Sequence, residues 1–155
     1  FDYIFKNLKN LRKNFNENDI RYINSAIKRF GYIYKDENEE KILDLMIALE
    51  TLLSTDPMEL GLKISQRTLV LLEDATESKK SIQEFVKKCY SKRSELAHGK
   101  KKKPFTIDGK DLTDEQVGDR LEDLVRYAIN EVITLHLKMK KQNKILDYLD
   151  ENLIK

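Results

Sequence analysis

The sequence predicts an all-α protein, an antiparallel bundle of about five to seven helices. Apolar residues recur every three or four positions along most of the chain. Only five Gly and two Pro occur in 155 residues, few for the turns of an all-β fold. Charged residues make up 36% and are led by Lys and Glu, good helix formers, while 40% hydrophobic residues suffice for one core.

Each element follows in order. Ile4, Leu8, Leu11 and Phe15 mark a helix over 2–15. Ile20, Ile23, Ile27, Phe30 and Tyr34 mark a second over 18–34, with Asn18 as its N-cap and Gly31 loosening its end. Asp36 and Glu39 read as a capping pair for a third helix to about Leu53, with Ile42, Leu45, Met46, Leu49, Leu52 and Leu53 inward. Asp56-Pro57-Met58-Glu59 is a start signal for a fourth, to about Glu73. Ser81 and Glu84 open a fifth that Gly99 ends. Residues 100–112 read as a loop, with Pro104 and Asp108-Gly109 as turn signals. Thr113 to Gln116 caps a sixth helix to about Met139, with Leu121, Leu124, Val125, Ala128, Val132 and Leu135 inward. Ile145, Leu146, Leu149 and Leu153 mark a seventh short helix or an extension. The expected organisation is a helical extension over 1–35, a bundle over 36–140 and a C-terminal helix or extension over 141–155.

The net charge is only +2, but the charges are segregated. Lys87 to Lys103 holds eight basic residues against Glu95 alone. Asp108 to Asp123 holds seven acids against Lys110 and Arg120. Such asymmetry predicts a charged patch on one face. Cys89 is the one cysteine, so no disulfide forms within the chain, and a reducing, cytoplasmic setting is expected. No apolar run approaches the roughly 18 residues of a membrane span, so no membrane partner is expected. The chain begins at Phe1 rather than Met, which leaves room for a fused domain or a regulatory partner.

Three charged residues interrupt apolar stripes. The fifth helix has Ile82, Phe85, Val86, Cys89 and Leu96 on one face, and the same period takes in Arg93. Arg67 sits between Ile64 and Leu71, and Glu50 lies near Met46 and Leu53. A desolvated charge needs a counter-charge. The three could satisfy one another, leave an arginine free for a ligand phosphate, or sit at stripe edges and reach water. His98 is five residues after Arg93, about 140° around an ideal helix, so the two do not share a face. Ser94 and His98, four apart, do.

At these residues the sequence resembles the HEPN superfamily, specifically its Apea-like group. The carrying residues are Arg93-Ser94-Glu95-Leu96-Ala97-His98, which match the R-x4-H signature, followed by Gly99. Tyr90, the upstream Ala48-Leu49-Glu50 and Arg67 fit the same context, and the resemblance covers roughly residues 40 to 137. It implies a helical bundle that dimerises with two R-x4-H segments meeting at the interface. It further implies a metal-independent endoribonuclease of toxin or antiviral-defence type, or a non-catalytic module for dimerisation or for RNA or nucleotide binding. Ser94 departs from the Asn, Asp or His that often follows the arginine in catalytic members.

The residue types suit RNA cleavage. The 2′-OH is the nucleophile, histidine serves as acid and base, and arginine holds the phosphate. A homodimer built on this helix would supply two copies each of Arg93 and His98, with Ser94, Glu50, Arg67 and Tyr90 in support. Lys92 and Lys100, Lys101, Lys102 and Lys103 would hold the RNA backbone by charge, although a lysine run is as often a solvated loop. Tyr90 reads as packing beneath the motif or as a base-stacking ring. His136 and Cys89 read as structural. No metal and no cofactor is expected.

Overall fold

The computed structural model describes residues 2–35, 37–58, 61–73, 79–99 and 103–153. Among them the chain forms seven α-helices and one two-stranded sheet. The helices are α1 (Asp2–Asn14), α2 (Arg21–Gly31), α3 (Asn38–Leu53), α4 (Gly61–Leu71), α5 (Lys79–Ala97), α6 (Asp114–Met139) and α7 (Gln142–Asn152). The strands β1 (Phe105–Ile107) and β2 (Lys110–Leu112) lie between α5 and α6. The expected all-α helical bundle is what forms.

α3 is the central helix because it is apolar on most sides. Ile42, Leu45, Met46, Ala48, Leu49, Leu52 and Leu53 are all buried. It packs against α2, α4, α5 and α6, while α4 also packs on α5 and α7. Leu8, Leu11, Ile20, Ile23, Ala26 and Ile33 from the first 35 residues join the same core as Ile145, Leu146 and Leu149 of α7.

Several local signals resolve differently from expectation. Asn18 does not cap α2, since its Oδ1 accepts instead from the Arg21 guanidinium at 2.8 Å, and Ile20 holds the cap position. Asp36 lies outside the described residues. The Asp56 carboxylate closes a tight turn by accepting the Met58 N–H at 2.9 Å, so Pro57 and Met58 precede α4 rather than open it. Ser81 lies within α5, where its hydroxyl accepts from Arg120 at 3.2 Å.

The predicted loop over 100–112 contains a hairpin. Phe105 pairs with Leu112, and Ile107 with Lys110. Asp108 and Gly109 both have positive φ, +50° and +76°, the backbone that closes a two-residue hairpin. Phe105 and Ile107 point inward, with the Phe105 ring against Phe85 at 5.7 Å, and the Lys88 ammonium donates to the Thr106 carbonyl. α6 begins as expected with a capping box between Thr113 and Gln116. It ends at Lys140 in the left-handed region (φ +70°), whose N–H donates to the His136 carbonyl at 2.8 Å.

Candidate functional site

α3, α4 and α5 enclose a cleft of about 400 Å³, rimmed by the segment that leaves α3. Glu50 and Thr51 come from α3, Ile64 from α4, Tyr90 and Arg93 from α5, and Ser54 to Pro57 form the rim. The rim is stiffened by two short bonds, Ser54 Oγ to the Asp56 carbonyl and Met58 N–H to Asp56 Oδ1, both at 2.9 Å.

Arg93 and Glu50 meet in this cleft. Arg93 Nε lies 3.1 Å from Glu50 Oε1. Both atoms are shielded from solvent, and this Nε–Oε1 contact is ionic rather than a well-aligned hydrogen bond. Burial pushes the Glu50 carboxyl above its ordinary range, and the Arg93 charge only partly opposes this. The two side chains keep 32% and 21% of their exposure, enough to meet a ligand. This is a half-buried charge pair at the wall of an open cleft.

Tyr90 reaches the cleft because Gly61 has no side chain. A Cβ at Gly61 would lie 2.4 Å from Tyr90 Cδ1, so the glycine lets α4 and α5 approach and seats the ring. The ring is half-buried against the core and lines the cleft at the same time.

The other expected site residues divide sharply. His98 follows the last residue of α5 and is exposed, its N–H donating to the Ser94 carbonyl at 3.1 Å. Gly99 then reverses the chain with φ +62°. Among the described residues, no hydrogen bond or ion pair joins His98 to Arg93. Ser94 is half-buried. Lys103 is exposed, and Lys100, Lys101 and Lys102 lie outside the described residues.

Lys92, expected to be a surface lysine, turns inward. It is 6% exposed, and its Nζ sits 3.5 Å from Asp114 Oδ1 at the start of α6. The stripe that continues from Cys89 passes between positions 92 and 93, and Lys92 faces the Asp114 carboxylate across it.

Arg67 also stands apart from the cleft charges. Its guanidinium forks onto Asp150 of α7, Nε to Oδ1 at 2.9 Å and Nη2 to Oδ2 at 3.0 Å, and Nη1 donates to the Leu53 carbonyl at 2.6 Å. It therefore neutralises a carboxylate and caps the end of α3 together. The Arg67 fork holds the Asp150 carboxyl below its ordinary range. No sequence signal marked Asp150 or Gly61. Their roles come from packing between helices distant in the chain.

His136 is wholly buried on α6, where its Nδ1 and the Tyr22 hydroxyl are 2.6 Å apart and Phe15 meets its ring edge-on at 4.7 Å. Cys89 is buried, and burial pushes its thiol up. Among the described residues, no group of three or more His, Cys, Asp or Glu side chains is placed to hold a metal ion. Among them, too, no helix is long and apolar enough to cross a membrane. Comparison of the chain with protein-family models, with curated proteins and with solved structures finds no match to any of them.

Proposed function

We propose that the chain is a HEPN-type endoribonuclease domain that acts as a homodimer and needs no metal. The observation that carries this reading is the division of the motif at the end of α5. Arg93 turns into the cleft beside Glu50, while His98 stands exposed past the last helical residue. On this reading one chain supplies half of a site, and a second copy placed against the same helix end would complete it.

In that site the 2′-oxygen attacks phosphorus and the bond to the 5′-oxygen breaks. One histidine takes the 2′-OH proton, and the other donates a proton to the leaving 5′-oxygen. The Arg93 pair stabilises the charge on the pentavalent phosphorane. The products are a 2′,3′-cyclic phosphate and a 5′-OH. Lys103, with the lysines before it, would hold the flanking backbone by charge.

RNA digestion by wild type, Arg93→Ala and His98→Ala tests the site. Cleavage should fall at least 100-fold in each variant and be unchanged by EDTA. Equal cleavage by all three proteins would reject it. A second reading, a non-catalytic dimerisation or RNA-binding module, draws on Glu50, whose carboxylate competes with phosphate for Arg93. RNA binding without cleavage by wild type would favour that reading.

A further inference from the structure

A second depression, of about 650 Å³, opens between the start of α2 and the corner joining α6 to α7. Its walls include Arg21, Tyr22, Lys140, Lys141 and Gln142. Thr55 lines this depression and the Arg93 cleft alike, so the two lie side by side where the chain leaves α3. Gln142 ties the two sides together. Its Nε2 donates to the Thr51 and Leu52 carbonyls, each at 3.1 Å, and draws the first turn of α7 against the last turn of α3.

The charges along this second stretch are one-sided. The Arg21 guanidinium bonds the neutral Asn18 side chain. Lys140 and Lys141 are exposed and form no ion pair among the described residues. Asp19 is the one carboxylate among the described residues of this wall, while Glu50 and Asp56 line the adjoining cleft. Lys141, at the N-cap of α7, gives no side-chain bond to the first turn, so the amide end of the helix adds to the positive field. Three cations in a wall that shares Thr55 with the Arg93 cleft suit an extended polyanion better than a single small anion.

The geometry points to a path for the phosphate backbone of single-stranded RNA that runs from Arg93 past Thr55 to Arg21, Lys140 and Lys141. It rests on the ribonuclease reading and deepens it. It assigns backbone contacts to a corner of the bundle remote in sequence from the lysine run at 100–103.

Binding of a labelled single-stranded RNA oligonucleotide across a salt series tests the path, using His98→Ala protein to prevent cleavage. The variant Arg21→Gln/Lys140→Gln/Lys141→Gln should flatten the slope of log affinity against log salt by about 2, three phosphates at about 0.7 each. The control Lys9→Gln/Lys138→Gln/Lys144→Gln removes equal charge from exposed positions outside the groove and should leave the slope unchanged. An unchanged slope in the groove variant, or equal flattening in both, would overturn the path. Digestion of the same RNA by wild type and Arg93→Ala separates the two ideas. Arg93-dependent cleavage with an unchanged slope removes the path alone. A flattened slope without cleavage removes the ribonuclease reading alone.

Discussion

Arg67 is a charged residue whose loss should cost the bundle heavily. It is 4% exposed and satisfies both the Asp150 carboxylate and the Leu53 carbonyl. Arg67→Ala strands both groups, and urea unfolding should show a loss of about 2–4 kcal/mol, moderated because Asp150 keeps a third of its exposure. Glu50→Gln should behave differently. Burial already disfavours the Glu50 charge, so its removal should change stability by less than about 1 kcal/mol. It also removes the counter-charge of Arg93, so, on the ribonuclease reading, RNA affinity measured by fluorescence anisotropy should rise. At this scale the apolar stripes showed which charges needed partners, but not which partners they would find. Arg67 and Asp150 are 83 residues apart, and no spacing rule reaches that far. Positions 92 and 93 straddle one stripe, and only Asp114 across the interface decides that Lys92 goes inward.

Among the elements, the contact between α4 and α5 is the most demanding. Gly61→Ala would drive a methyl group into the Tyr90 ring, and chemical denaturation should report a loss of about 1–3 kcal/mol. Gly61→Ala combined with Tyr90→Ala should lose less than the two single changes together, because the clash is then gone. Helix identities were legible because 3.6-residue periodicity is long and redundant. Helix starts were less so: Asp56 and Ser81 have the chemistry of caps, but a short polar side chain also closes turns or bonds a neighbouring helix. The hairpin was present in the sequence as Asp108-Gly109 between Phe105-Thr-Ile and Lys110-Asp-Leu. Strands of three residues carry too little alternation to stand out beside a lysine run.

Across the whole molecule, the buried contact between α2 and α6 makes stability depend on pH. Burial holds His136 below its ordinary value, with Asp19 opposing in part. The folded chain therefore binds fewer protons than the unfolded chain as pH falls through about 6.5, and stability is lost on acidification. Thermal unfolding of wild type between pH 7.5 and 5.5 should show Tm falling by a few degrees. His136→Phe should remove most of that slope, whatever its own stability. Seen as a sequence of events during synthesis, the Arg67 clasp has one more consequence. The guanidinium is made 83 residues before the carboxylate it forks onto, so this ion pair can close only once residue 150 has emerged. Chains truncated before α7 would lack both the Asp150 carboxylate and the core contacts of Ile145, Leu146 and Leu149, and should unfold at lower urea and be cut faster by protease than the full chain.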